Sequence, residues 1–327
     1  EPDRHFIFIN PTVSPYTETV SLIKRLLEND LKVIAFTKSR KITELIHTWI
    51  IQQNPAFAPY VSSYRAGFLP EERRTIEKDL FEGRIRAVIS TSALEVGIDI
   101  GGLDACILVG YPGTIINTWQ RGGRAGRGDS PALIMLLAQQ DALDQYFMKN
   151  PNDFFARGCE NAVLDPFNKP ILKAHLPCAA SELGISQTER FFDFRKIAPA
   201  LGELVHSGEL LRGDADGVYF SSRRRPHRFV DIRSVGEGYT ILEKGTKKII
   251  GQVSGLRAFT ECHKGAIYLH RASQYQVDSI DIELKNILVK RVDVSYFTRP
   301  KSEKETDIME ITGSKPVGNF IIKKGSI

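Results

Sequence analysis

The feature that most constrains the fold is an alternation, over residues 1–150, of short apolar runs with amphipathic stretches. Leu31–Thr37, Ala58–Tyr64, Ile85–Ser90, Ala105–Gly110 and Ala132–Ala138 each read as a short buried strand. A helix is expected from about Ser39, because Ile42, Leu45, Ile46, Trp49 and Ile50 recur on one helical face. A second opens at Pro70, where a missing N–H does no harm. It turns Ile76, Leu80 and Phe81 toward the core and stops at Gly83, in the C-cap position. Strand and helix in alternation build an α/β fold with a parallel sheet and right-handed crossovers. Ligands of open sheets of this kind bind at the C-terminal ends of the strands.

Pro151-Asn152 marks a break. Residues 151–225 are expected to form a winged-helix-like domain. Ile171–Leu183 and Ile197–Ser207 are its helices, and Glu209–Phe220 a hairpin turning at Asp214-Ala215-Asp216-Gly217. Residues 226–300 read as a small β-rich domain, an open barrel. Its strands are Ile249–Val253, Ala266–Leu269, Tyr275–Ile280 and Ile287–Val294. Residues 301–327 form a charged, weakly patterned tail.

Composition narrows the function classes. The formal net charge of +5 suits a polyanionic partner without requiring one. No apolar run approaches the roughly 18 residues of a membrane span. The chain opens on a polar Glu1–His5 without Met or signal peptide, as expected of a piece of a longer protein. Cys106, Cys159, Cys178 and Cys262 form no C-x-x-C pair, so no metal site is expected and they read as reduced thiols of a cytoplasmic protein. His263 and His270 flank a strand as structural or surface groups.

The strongest local signal is Gln120-Arg121-Gly122-Gly123-Arg124-Ala125-Gly126-Arg127-Gly128. If its first part is helical, Gln120, Arg124 and Arg127 share a face at i, i+4 and i+7. Two planar, permanently charged guanidiniums on one face clamp phosphate. The plainer reading is a solvated basic face, but three interleaved glycines each cost roughly 1 kcal/mol of helix propensity. Their use is to let a phosphate or a facing domain approach the backbone. Ser90–Ile100 follows directly on a buried strand. Thr91 and Ser92 can donate to backbone phosphates and Asp99 can accept from a ribose hydroxyl, or the hydroxyls simply cap a helix. Phe36–Arg40 is another strand end leading into a helix, whose free N–H groups attract phosphate beside Lys38 and Ser39. Tyr64-Arg65-Ala66-Gly67 closes the next strand. Each of these two segments alone reads equally as capping, surface or site. Ser222–Arg228 places four arginines after the wing, among them Arg223, Arg224 and Arg225, as a phosphate grip or a solvated loop. Tyr219 and Phe220 beside it either stack on a base or pack the hairpin.

Taken together, at one edge of one sheet and in this order, these segments resemble motifs IV, IVa, V and VI in the second RecA-like domain of superfamily 2 helicases. The form Gln-Arg-Gly-Gly-Arg-Ala-Gly-Arg, preceded by Val109–Gly113, resembles the MrfA-type (YprA-like) DNA repair helicases and the related fungal RecQ-four-like group. Leu143–Tyr146, Asn152–Phe155, His175–Ala180, Gly265–His270 and Val292–Thr298 are similar to segments that follow the motor there, so roughly residues 5–300 are covered.

The resemblance implies a RecA-like domain at 1–150. It also implies that Arg124 and Arg127 reach ATP phosphates across an interdomain cleft, Arg127 at the arginine-finger position, with Gln120 in support. Gly97 and Asp99 would touch the nucleotide, and Lys38, Ser39, Arg65 and Thr91 would hold one DNA strand by its backbone. The family's C-terminal four-cysteine zinc site has no counterpart here, so it is expected beyond this chain.

No G-x-x-x-x-G-K-[ST] occurs, and no Asp-Glu pair follows an apolar strand to hold Mg²⁺. The expected partners are therefore single-stranded or partly duplex DNA and a missing N-terminal RecA-like domain that binds most of the ATP and Mg²⁺. The reading is the C-terminal motor half, with accessory domains, of an ATP-dependent helicase for strand translocation and unwinding, inactive alone. Its rivals are a nucleic-acid-binding module or a partner-recruiting scaffold that has lost ATP coupling.

Overall fold

A computed structural model describes residues 3–95, 102–126, 131–188, 193–213, 217–230, 238–301, 303 and 305–326. The first unit is built from β1 (Arg4–Ile9), α1 (Pro15–Glu28), β2 (Val33–Phe36), α2 (Arg40–Gln53), β3 (Val61–Tyr64), α3 (Pro70–Phe81), β4 (Ala87–Ser90), β5 (Ala105–Val109), α4 (Ile115–Gly122) and β6 (Ala132–Leu137). Its six strands lie in the order β1-β6-β5-β2-β4-β3, and all pairings are parallel. The RecA-like parallel sheet expected from the sequence is present. Because every strand runs the same way, Thr37, Tyr64, Ser90 and Gly110 all fall at one edge.

One face of the sheet buries Val20, Ile23, Ile46 and Ile50 of α1 and α2 against Val33, Ala35 and Ile107. The other buries Ile76 and Leu80 of α3 and Ile115 of α4 against Ile34, Val88 and Ile134. Three local readings change. Phe81 is 60% exposed: it is the last residue of the helix, and its neighbour Leu80 takes the buried face. The third strand starts at Val61, not Ala58; Pro55–Tyr60 is a 3-10 turn whose two prolines bring no N–H to a ladder. And β1 with α1, unassigned by the patterning above, supplies one sheet edge.

The break expected at Pro151 comes later. The helices α5 (Ala142–Lys149) and α6 (Pro151–Ala156) stay with the first unit, and Phe154 is fully buried in its core. The ring of Phe154 lies 5.1 Å from Phe6 and 5.5 Å from Phe147. Glu160 then folds back to cap α4, its carboxylate accepting the Ile115 and Ile116 N–H groups at 2.6 and 3.2 Å. Those backbone bonds, chiefly that of Ile115, hold the Glu160 carboxyl below its ordinary range.

The second unit is the winged helix: α7 (Lys169–Glu182), α8 (Phe194–His206), β7 (Leu210–Arg212) and β8 (Tyr219–Ser221). Ile185 pairs with Tyr219 through a single antiparallel bridge. Leu176, Ile197, Leu201, Leu204, Leu210 and Tyr219 form its core. Tyr219 is thus a packing residue, while Phe220 on the opposite face is 46% exposed. Most of the expected turn, 214–216, lies outside the described residues.

The third unit is a five-stranded sheet, β10-β9-β13-β12-β11, from β9 (Gly238–Glu243), β10 (Ile249–Ser254), β11 (Ile267–His270), β12 (Ser273–Asp281) and β13 (Asn286–Val292). The short helix α9 (Leu256–Glu261) joins β10 to β11. The residues expected to be a charged, weakly patterned tail contain an antiparallel hairpin, β14 (Glu310–Val317) with β15 (Phe320–Ser326), turning at Gly318. Among the described residues no helix is long and apolar enough to cross a membrane.

Candidate functional site at the C-terminal edge of the sheet

After β2 the chain bonds its own turn: Thr37 Oγ1 lies 2.7 Å from Thr43 Oγ1 and donates to the Ser39 carbonyl at 3.0 Å. Ser39 is the N-cap residue of α2, yet its exposed side chain makes no capping bond. The same holds for Thr91, which precedes a 3-10 turn at Ser92–Leu94 without capping it. The capping alternative therefore fails for both hydroxyls, and they remain available to a ligand. Lys38 is not a free cation: its Nζ sits 3.5 Å from Asp141 and 3.7 Å from Asp144. Asp144 is fully buried and accepts the N–H groups of Tyr111 at 3.1 Å and Gln139 at 2.7 Å. Burial raises its carboxyl pKa against those bonds and Lys38. A phosphate at Lys38 has to compete with both aspartates.

The glycine-rich segment departs from the expected geometry. α4 ends at Gly122 with Gly123 as its C-cap, so Arg124 lies beyond the helix and not on the face of Gln120. Gln120 is exposed, whereas Arg121 and Arg124 are buried. Both converge on Glu95. The Arg121 Nε donates to its carboxylate at 2.8 Å, and Arg124 donates to its backbone carbonyl from Nε at 2.9 Å and Nη2 at 2.6 Å. The Arg121 guanidinium also covers the Phe36 ring at 5.5 Å. The glycines have a packing cause. A Cβ on Gly122 would come within 3.0 Å of Ile134, and Gly126 has φ +77° with the Ala132 Cβ only 2.6 Å from where its own would stand. Sequence reasoning gave no role to Arg121 or Glu95; the signal for them was an acid five residues after Ser90, at the end of β4, and an arginine inside the glycine run. Arg127, Gly97 and Asp99 lie outside the described residues.

Arg65 needs a correction. Expected to hold a DNA backbone, it is 1% exposed. Its Nε donates to Glu44 at 2.8 Å, and its Nη2 donates to the Tyr268 hydroxyl at 3.0 Å and the Leu269 carbonyl at 2.7 Å. Burial opposes the charge, but Tyr268 and Glu44 outweigh it and push the guanidinium pKa above its usual value. An arginine committed to the third unit in this way cannot reach solvent-borne DNA. Beside it, Ser39, Arg40, Lys41, Thr260, Tyr268 and Thr298 are among the residues lining a cavity of about 200 Å³.

Arg223, Arg224 and Arg225 are exposed on the winged helix, remote in sequence from the sheet edge. The Arg223 guanidinium lies 4.7 Å over the ring of Phe229, itself 73% exposed. Cys106 and Cys262 are buried, Cys159 is exposed and Cys178 half-buried.

Comparison with known proteins bears on this arrangement. The family profile for the helicase conserved C-terminal domain matches residues 18–129, and that for the winged helix domain of the ATP-dependent helicase HRQ1 matches 164–235. The ATP-dependent helicase YprA of Bacillus subtilis is 34% identical over 99% of this chain and 45% of its own length. HRQ1 of Saccharomyces cerevisiae is 29% identical over 94% of this chain and 30% of its own. Among solved structures, the DUF1998 helicase MrfA bound to DNA superposes with a TM-score of 0.81 at 35% identity, over 98% of this chain and 45% of that one. MrfA bound to DNA and AMPPNP gives 0.74 at 34%, over 97% and 45%. The chain thus spans less than half the length of these relatives. With both family profiles, the sheet topology and the strand-end motifs in agreement, the chain belongs to the MrfA/YprA-like family of superfamily 2 helicases and carries its helicase C-terminal domain and winged helix.

Proposed function

We propose that this chain is the second motor half, with winged-helix and β-rich domains, of an ATP-dependent DNA helicase. The observation that supports this best is the Glu95 clamp. Arg121 and Arg124, from the glycine-rich segment, hold Glu95, which ends the turn that follows Thr91 and Ser92. A module that only bound nucleic acid has no need to tie a prospective nucleotide-facing loop to an arginine-rich segment. In this reading a P-loop domain outside the chain binds ATP and Mg²⁺, which supply the phosphoryl chemistry. The residues here form the opposite wall: Gln120 faces the cleft, Arg124 holds the loop, and Arg127 reaches the phosphates. The Arg124 role shifts from the expected direct phosphate contact to support of the loop, because its Nε and Nη2 both bond the Glu95 carbonyl.

On the DNA side, Ser39 and Thr91 offer uncommitted hydroxyls, Ser92 an exposed one, and the α2 N-terminus its free N–H groups. The Arg223–Arg225 run adds charge. These groups suit phosphates, not base edges, so binding carries little sequence preference. DNA as the polymer rests on the DNA-bound relative, and a cytoplasmic setting goes with it.

The test uses the 327-residue chain. A single-stranded oligonucleotide should bind with a steep salt dependence and no ATP should turn over. Replacing Arg223, Arg224 and Arg225 by Ala together should flatten the log–log salt slope by about 0.7 per lost phosphate contact, roughly 2 in all. Salt-indifferent binding, an unchanged slope in the triple variant, or DNA-stimulated phosphate release above background would each refute the proposal.

A further inference from the structure

The loop closing β3 carries an expectation of DNA contact, yet its atoms are spent elsewhere. Besides the bonds of Arg65 to Tyr268 and Leu269, the Gly67 carbonyl accepts the Gln252 N–H at 3.1 Å. The approach is backbone to backbone. A Cβ on Gly251 would stand 2.8 Å from the Gly67 oxygen, and one on Gly67 would stand 2.9 Å from the Gln252 oxygen. Around this centre the contacts continue on both sides. The Glu72 carboxylate lies 3.1 Å from His270 Nε2 and 3.7 Å from Arg271. The Phe68 and His270 rings meet at 4.9 Å. Arg40 faces Glu261 at 3.7 Å, and Lys41 donates to the Thr298 carbonyl at 2.7 Å while lying over the Phe297 ring at 3.7 Å.

We infer that Arg65 is a positioning residue: held by Glu44 beneath and by Tyr268 and Leu269 above, it locks the RecA-like and β-rich domains into one rigid body. The physics favours a stiff joint over a loose contact. Interfaces between domains are ordinarily polar and permit relative motion. Here the central cation is almost fully buried and its Nη2 donates to both Tyr268 and Leu269, so swinging the β-rich domain away would break two charge-assisted hydrogen bonds together with the packing around them. The two glycines let the two backbones approach closely at the same spot. The β-rich domain is therefore carried wherever the RecA-like domain goes. In the helicase reading, nucleic acid resting on the β-rich sheet is displaced together with the motor half, but the lock stands on its own geometry whether or not that reading holds.

The test is a distance distribution between nitroxides on the two domains. Labels go on the exposed positions Glu82 and Glu283, as Glu82→Cys and Glu283→Cys, with Cys159→Ser and Cys178→Ser removing the accessible native thiols. Pulsed dipolar spectroscopy on the full chain should give one narrow distribution. Arg65→Ala should at least double its width. Arg65→Lys should do nearly the same, because charge without the planar fork cannot bond Glu44, Tyr268 and Leu269 at once. Gly251→Ala leaves Arg65 intact but drives a methyl into the Gly67 carbonyl, and should also broaden it. Tyr268→Phe removes one acceptor and should broaden it less. Folding is checked by circular dichroism and by Trp49 and Trp119 fluorescence. If Arg65→Ala does not fold, Gly251→Ala and Tyr268→Phe decide. A width that stays at the wild-type value in the folded variants overturns the lock.

Discussion

Removing Glu44 is the sharpest perturbation this structure offers. Glu44 is 1% exposed, and its carboxylate accepts from Arg65 Nε at 2.8 Å and from the Ser63 hydroxyl at 2.9 Å. Glu44→Ala leaves a guanidinium buried with only neutral acceptors for company. Breaking one side of a buried ion pair costs about 3–5 kcal/mol, a large share of the roughly 5–15 kcal/mol that holds a domain folded. For a domain of this size each kcal/mol moves the midpoint by about 2–4 °C, so melting should fall by roughly 6–20 °C. The assay reports on the correct unit without labelling, because the chain's two tryptophans, Trp49 and Trp119, both sit in the RecA-like domain. The double variant Glu44→Leu with Arg65→Met separates charge burial from packing. Replacing both ions by apolar groups of similar volume is often near neutral. With Ser63 left unbonded, about 1–2 kcal/mol should remain lost. A Glu44→Ala penalty below about 1 kcal/mol, or a double variant no better than the single one, would refute the reasoning.

Phe154→Ala should cost about 3–5 kcal/mol in the same fluorescence melt, because its ring is fully buried in the RecA-like core; a loss under 1 kcal/mol would return α6 to the next domain. Alkylation of the native chain near pH 8 should modify Cys159 and spare Cys106 and Cys262, with mass spectrometry as the readout. Burial pushes the Cys106 thiol well up and the Cys262 thiol up to about 12. A raised thiol pKa favours the neutral folded form, so its contribution is fully present below about pH 8.5 and is lost as pH rises toward 12. The urea midpoint should accordingly fall between pH 8 and 10.5, and a flat profile contradicts the burial argument. In a longer protein that supplies a P-loop domain, Arg127→Ala and Arg127→Lys should both abolish ATP turnover while leaving nucleotide-free DNA affinity unchanged. A parallel loss of affinity would move Arg127 to the DNA track.

The sequence by itself determined five of the sheet's six strands, all but β1. Runs such as Ile85–Ser90 and Ala105–Gly110 are too apolar to be anything but buried, and the helical periods between them impose parallel pairing, so the motif-bearing strand ends had to share one edge. Pro70 and Gly83 bracketed α3 because a missing N–H and a positive φ are local properties. What side chains do at that edge was not local. Arg65, Lys38 and Arg124 each look like phosphate ligands in sequence, since a guanidinium or ammonium after a strand has the same letter whether its partner is solvent, DNA or a carboxylate. Only the tertiary structure brought Glu44, Tyr268 and Leu269 to Arg65, the aspartates to Lys38, and Glu95 to Arg121 and Arg124. Those partners lie up to about 200 positions away in the chain. Likewise Phe81 and Phe154 carry similar apolar signals, yet one is exposed and the other buried, because burial depends on which surface faces the side chain. Backbone propensity and hydrophobic period act over a few residues and can be read along the chain. The pairing of charges depends on which distant surfaces meet, and is settled only when the domains pack.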